Sequence, residues 1–397
     1  MQIRARLQQA ISLSTTGISK MAVVYFTGFE AGSAEPFYGA SGTYSIQSTT
    51  KKSGTYAFKS NPTTTGVGYF NTWGLLSNGV FPNNLPVTSY TKFDFYYVTK
   101  PASNDEQIFC IRDYSTGNYK LEVRLTSTGV IKVYDKDLLL VATGTTVLSA
   151  NTWYRIEVKG GNGTSVAYEV KINGASEVSG TCNQLASNSA GVHFGKEANR
   201  NSNSVEFYYD NVVVDDAAYP GDCVVTPIFP TGNGGTAQWT GGTGSSNYLE
   251  VDEVPPDSDT TYIRASGSAG DVHLVTLQST ATAGITGTVK SFKAMAYVRE
   301  NTPVTSATKV RIKSGASSSD TSGYDYSTSY LWIQNIANTD PNTSAAWTLS
   351  GIDNVQIGVV ESNAVQTRCS AIYGMVLHTP SSASADNGGM MMRGIGG

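Results

Sequence analysis

SVEFYYDNVVVDDAAYPGDCVVTPIFPTGNGGTAQW, residues 204–239, carries the pattern from which the rest of the chain can be read. Val205, Phe207, Tyr209 and Val213 fall on one side of an alternating run, and Glu206, Tyr208 and Asp210 on the other. That is the period of a strand with one buried face. Asp215-Asp216 and the Tyr219-Pro220-Gly221 turn stop it. A second apolar run, Val224 to Phe229, opens a new unit, and the Gly-rich segment Pro230 to Gly235 behind it reads as a turn. The stretch is the last strand of one β domain feeding directly into another.

Upstream, the same alternation recurs. Phe93, Phe95 and Tyr97 share a face, and Leu121, Val123 and Leu125 alternate with Lys120, Glu122 and Arg124. Gly129 then turns the chain into Val130–Tyr134, a hairpin signature. In TWYRIEVK, Tyr154, Ile156 and Val158 oppose Trp153, Arg155, Glu157 and Lys159, and Asn173-Gly174 is a strong tight-turn pair after Tyr168, Val170 and Ile172. Downstream, Phe292, Ala294, Ala296 and Val298 share a face, as do Val310 and Ile312, while GASSSDTSG reads as a low-complexity loop. Short strands at this spacing, with no helical windows between them, predict an all-β protein of two consecutive antiparallel β-sandwiches. The expected divisions are an arm at 1–20, a first sandwich at 21–219, a second at 220–380 and a tail at 381–397.

The ends differ from the body. Residues 1–20 place Ile3, Leu7, Ala10 and Ile11 at helical spacing without the apolar run of a secretory signal. They read either as an arm that docks on a neighbouring subunit or as a leader, with Met21 opening the folded part. The tail, with Met390 to Met392, reads either as a disordered end or as a flexible Met-rich contact for a partner's groove.

A chain of 397 residues exceeds the size at which one core stops growing. Charged residues make up only 15% and the net charge is −4, which argues against an electrostatic grip on nucleic acid. No apolar run reaches the length of a membrane span. Cys110, Cys182, Cys223 and Cys369 form no CxxC pair; Cys110 and Cys182 could pair, but four buried free thiols are the simpler reading in a large core.

YYDNVVVDD, the join GDCVVTPIFPTGNGGTAQWTGGTGSSNYLEVDEVPPDSDTTYI and FTGFEAG at 26–32 together resemble a virion-associated module of tailed bacteriophages. In that family a concanavalin A-like (laminin G-like) jelly roll precedes a second β region opening with GD-x-V…P-x-G…QW. The resemblance spans residues 21–300, and WYRIEV…VKING is similar to the central strands of a laminin G-like jelly roll. It implies a component of the virus particle without fixing its position; within that class the reading is an exterior capsid decoration, tail or fibre protein acting by subunit–subunit binding. Its implied partners are capsid or tail proteins and further copies of itself, with a trimer expected by analogy.

These residues hold no recognised catalytic constellation. Concanavalin-like hydrolases carry E-x-D-x-x-E on one strand face, which is absent here. Glu206 and Asp210 share a face, but four strand residues separate them by ~13 Å, and both read as solvated. His193, His273 and His378 are scattered, and there is no nucleophile elbow or phosphate loop. No catalytic or cofactor-binding residue is assigned and no enzymatic activity is expected. Asp252, Glu253, Asp257 and Asp259 supply oxygen ligands without the spacing of a calcium loop, so a structural calcium stays unplaced. The alternative function is a lectin-like adhesion module for a cell-surface glycan. Tyr208, Trp73 and Trp239 are the conceivable stacking platforms, although a Trp in a sheet protein is usually core.

Overall fold

The computed structural model describes residues 23–33, 39–72, 85–113, 116–183, 190–197, 202–242, 247–301, 304–326 and 328–381. The expectations for the arm at 1–20, for Met390–Met392 and for Trp73 lie outside the described residues. Among the described residues the strands form four antiparallel sheets stacked as two jelly-roll-like sandwiches.

The first sandwich places an eight-stranded sheet over a seven-stranded one. At the centre of the larger sheet lie Tyr154–Gly160, Ser89–Thr99, Glu206–Asp215 and Ala57–Ser60, side by side in that order. The smaller sheet is centred on Tyr119–Thr126, Asp105–Asp113, Ala190–Lys196 and Gly68–Asn71. The inward residues of both meet in an aromatic cluster in which Phe70 stacks on Phe194 at 4.6 Å and Tyr209 meets Phe93 at 5.8 Å. Tyr209 also donates its hydroxyl hydrogen to the Ile108 carbonyl at 2.9 Å, so a strand of one sheet is tied to the other.

The second sandwich packs two six-stranded sheets around Phe292, Trp347, Ile357 and Trp239. Arg368–Thr379 pairs along its length with Thr288–Arg299. Trp239 is 1% exposed within this core and is therefore no sugar platform.

Three local expectations change. The segment Pro230 to Gly235 is no turn: Pro230–Ala237 is a strand that pairs with Val272–Leu277 in the opposite sheet from Val224–Ile228. Two β-bulges in that pairing and Gly234 packed on Leu274 explain why no apolar alternation marks it. Within GASSSDTSG, Ser317–Asp320 is a strand hairpinned to Val304–Ser314, locked by Arg311 on Asp320 at 2.6 Å. Thirdly, the run at Glu206–Asp215 does not keep one face throughout. Asn211 (φ 46°) lies in a bulge between Asp210 and Val213, and the extra residue reverses the side on which later residues point. Val212 and Val214 join Phe207 and Tyr209 in the first core, whereas Val213 points out.

That reversal builds the contact between the sandwiches. Val213 meets Phe26, Val225, Met295, Met375 and Leu377 in a separate buried cluster. Lys293 donates to the Phe26 carbonyl at 2.7 Å, and Asn338 to that of Val23 at 3.0 Å. All four cysteines are buried thiols.

Candidate functional site

The outward face of the eight-stranded sheet is divided into a covered and an open part. The connection after Asp215 lies back across it: Tyr219 donates to Glu169 at 2.7 Å, the Gly221 N–H to Glu157 at 2.8 Å, and Asp222 faces Arg155 at 3.5 Å. Lys171 sits 3.8 Å from the centre of the Tyr219 ring. The second sandwich covers Val213. The register leaves Trp153, Tyr96, Tyr208 and Lys59 side by side on the remaining part.

These four form a ridge. Tyr96 lies 5.2 Å from Trp153 and 5.6 Å from Tyr208, the latter edge to face. Lys59 stands 5.4 Å above Tyr208 and pairs with Glu206 at 2.8 Å, and Tyr208 donates to Glu206 at 2.6 Å. Trp153 and Tyr96 are half-buried. Tyr208, one of the three aromatics singled out in the sequence, is 5% exposed and acts as the packed end of the ridge.

Beside Trp153 opens a cleft of about 230 Å³ lined by Lys52, Asp94, Trp153, Arg155, Asn173 and Asp222. Asn173 takes the left-handed conformation (φ 51°) of a tight hairpin turn, accepts the Arg155 N–H at 2.9 Å and presents its amide at the rim. Gly174 (φ 88°) follows, where a Cβ would meet the Arg155 guanidinium at 2.6 Å. The turn therefore shapes the arginine's position.

The floor of the cleft is an ionic cluster. Lys92 is fully buried and uses all three donors, on Asp94 (2.8 Å), the Asn211 carbonyl (3.1 Å) and the Cys223 carbonyl (3.0 Å). Burial alone would push its ammonium down; the Asp94 carboxylate, with Cys223 and Asp210 adding to it, more than offsets this, and the pKa lies above that of free lysine. Asn211 donates to Asp94 at 2.9 Å and accepts from the Val225 N–H at 2.8 Å. Asp210, expected to be solvated, is completely buried instead. Its carboxylate holds the loop beside the cleft by accepting the N–H groups of Lys52 (2.8 Å) and Ser53 (3.1 Å). Glu206 shares the strand face but is held by Lys59 and Tyr208, so the two carboxyls form no acid–base pair.

Burial pushes Asp210 up to about 7; the Ser53 N–H opposes this and the neighbouring Asp94 carboxylate adds to it. With an unfolded value near 4, the folded chain keeps a proton that the unfolded chain has lost. The contribution is fully present below about 4 and is lost as pH climbs through about 7. Burial shifts His193, His273 and His378 downward, which works in the opposite sense below about 6.5. The quantity to measure is therefore the stability of wild type minus Asp210→Asn. It falls by about 1.4 kcal/mol between pH 6 and pH 8 in urea titrations; a gap independent of pH refutes this account.

The acidic turn does not gather a cation site. Asp259 is taken by Arg299 (2.9 Å) and Arg368 (2.8 Å), the Thr261 hydroxyl donates to Glu253 (2.8 Å) and the Thr261 N–H to Asp257 (3.1 Å). Among the described residues, the group whose ligand atoms converge as a metal site requires is Cys110, His193 and Glu197, on the other sheet. Residues 110, 193 and 197 share no metal-ligand spacing by which to find it.

No family model matches the chain, and no curated protein sequence does. Solved structures similar to it include an endo-beta-1,4-glucuronan lyase from the fungus Trichoderma reesei, at 13% identity and a TM-score of 0.36, matching 49% of this chain and 96% of the other. A carbohydrate esterase of the Shiga toxin-encoding bacteriophage phi24B is similar at 11% identity and a TM-score of 0.35, over 50% of this chain and all of the other. A carbohydrate-binding module of Bacillus subtilis is similar at 9% identity and a TM-score of 0.29, over 46% and 98%. Activity has to be argued from the site.

Proposed function

We propose that the protein is a carbohydrate-binding adhesion module whose recognition site is the Trp153 cleft. The observation that carries this reading is the juxtaposition of a half-exposed Trp–Tyr ridge with a cleft rimmed by both donors and acceptors. A sugar ring offers an apolar face of C–H groups and an equatorial belt of hydroxyls, and the site offers a surface for each. Trp153 stacks on the ring; Lys52, Arg155 and Asn173 donate to hydroxyls, and Asp222 accepts. The carboxylates at the cleft are each engaged by a cation, Asp94 by Lys92 and Asp222 by Arg155. Such groups hydrogen-bond well and transfer protons poorly, which favours binding over turnover.

The ridge rests on regular strands, so it is organised before the ligand arrives and little ordering entropy is lost on binding. The order of segments resembling phage virion modules supports placing such an adhesin on the exterior of a phage particle, as an oligomeric tail, fibre or decoration protein. Its presence and copy number in density-purified particles is the measurement for that placement.

The test of the site is a glycan array followed by titration of the best ligand. Wild type binds at least one glycan in a dose-dependent way, and Trp153→Ala weakens that binding by about 30-fold or more, the loss of a central aromatic anchor. Uniformly flat curves, or full affinity in the Trp153→Ala chain with its fold intact, overturn the proposal.

A further inference from the structure

On the opposite side of the first sandwich, the outward face of the seven-stranded sheet brings together side chains that the cleft does not use. Phe109, Ile111, Val192 and Phe194 point into the core, so Cys110 and His193, which are cross-strand partners, point away from it. Glu197 follows four residues after His193 on the same face. The Cys110 Sγ lies 3.5 Å from Glu197 Oε2, and His193 Nδ1 lies 3.2 Å from Glu197 Oε1. Ligand atoms of all three residues fall within 4.8 Å of one another. Cys110 and His193 are fully buried and Glu197 is 7% exposed.

We propose that Cys110, His193 and Glu197 form a binding site for a tetrahedral divalent transition metal, with zinc the best match.

Three features converge on this assignment. The first is spacing. With zinc–ligand bonds of roughly 2.0 to 2.3 Å, the edges of a tetrahedron are roughly 3.3 to 3.6 Å. The Cys110 Sγ–Glu197 Oε2 separation lies in that range, and the three ligand atoms, within 4.8 Å of one another, need only side-chain rotation to close on an ion. The second is charge. A thiolate and a carboxylate neutralise a divalent ion, so the filled site is a neutral unit suited to burial. Arg112 is ion-paired with Glu197 Oε1 and holds this carboxylate from outside, leaving Oε2 for the ion. The third is Gln107. It is fully buried, its amide nitrogen lies 3.2 Å from Cys110 Sγ, and its Oε1 has no hydrogen-bond partner. Rotating the amide by half a turn brings that oxygen toward the fourth vertex, and such an assignment is a choice of orientation.

Burial, with the Arg112 charge added, also holds His193 well below the usual imidazole range, in the neutral form that ligates metals. On binding, the Cys110 S–H bond breaks, its proton leaves to solvent, and the sulfur electron pair forms the metal bond. A thiol nucleophile would need a substrate within reach, whereas Cys110 is enclosed, as a resident structural ion requires.

The site is tested with the full chain and metal alone. Equilibration with Zn²⁺ followed by gel filtration leaves one zinc per chain by elemental mass spectrometry. Co²⁺ in its place produces the visible bands of a tetrahedral ion and a thiolate-to-metal charge-transfer band in the near ultraviolet. Cys110→Ser abolishes the charge-transfer band, and Glu197→Gln, which keeps the shape, weakens Co²⁺ at least tenfold in competition with a chelator. Cys182→Ser, a buried thiol elsewhere, keeps both signals. A Co²⁺ spectrum without the charge-transfer band, or one unchanged in Cys110→Ser, overturns the proposal. Glycan binding at Trp153 is read separately, so the two results stand or fall independently.

Discussion

Lys92→Ala lowers the stability of the chain by about 3–5 kcal/mol, the cost of stranding a buried carboxylate without its cation. Lys92 is the group on which both sandwiches close: it neutralises Asp94 and takes the Asn211 and Cys223 carbonyls, the latter just ahead of the first strand of the second sandwich. Without it, two buried carboxyls, Asp94 and Asp210, face each other across adjacent strands. Lys92→Met removes the charge and keeps most of the volume, so it destabilises nearly as much; a packing defect alone would not produce that result. Adding Asp94→Leu to Lys92→Met recovers part of the loss, because the stranded charge is then gone. Guanidinium titrations measure all three. A Lys92→Ala chain within about 0.5 kcal/mol of wild type would show that the ionic cluster contributes nothing net.

Tyr209→Ala is the second large effect, with an expected loss of about 3–5 kcal/mol. Its ring touches Phe58, Phe70, Phe93, Phe95 and Phe194 with centroids 5.5 to 6.3 Å away, and strands of both sheets contribute these partners. Truncation leaves a cavity that rigid strands cannot collapse to fill. Tyr209→Phe separates the terms: the ring stays and only the Ile108 carbonyl loses its donor, at about 1–3 kcal/mol. Equal losses in the two variants would falsify the cavity account.

How far the sequence reveals this molecule depends on which force shapes each part. Strands with one buried face are legible because burial imposes a period of two, and TWYRIEVK placed Trp153 and Arg155 correctly on the outward face. Pro230–Ala237 was invisible for the opposite reason: an irregular, Gly-rich pairing imposes no such period. Asn211 shows a further limit. One bulged residue reverses every side chain after it, so Val213 left the core it was expected to join; Asp210, ahead of the bulge, keeps its side and is buried because the Lys52–Ser53 backbone closes over it. Polar residues on outward faces read as solvated, yet Glu122 and Arg124 are buried because they pair with each other. The cleft is assembled from residues 52, 94, 153, 155, 173 and 222, which share no spacing. Trp239 lies in the core, as a tryptophan in a sheet protein usually does.

The connection strapped across the outward face has a mechanical consequence. A pull that separates the two sandwiches runs along residues 216–224, and its first resistances are the Tyr219 hydroxyl on Glu169, the Asp222 pair with Arg155 and the Lys92 grip on the Cys223 carbonyl. Two of these three restraints, Asp222–Arg155 and Lys92, belong to the wall and floor of the Trp153 cleft. Tension along the chain therefore bears directly on the pocket's geometry. A ligand that bridges Arg155 and Asp222 stiffens the same joint, so the hold on a surface and the tautness of the linkage are one coupled quantity.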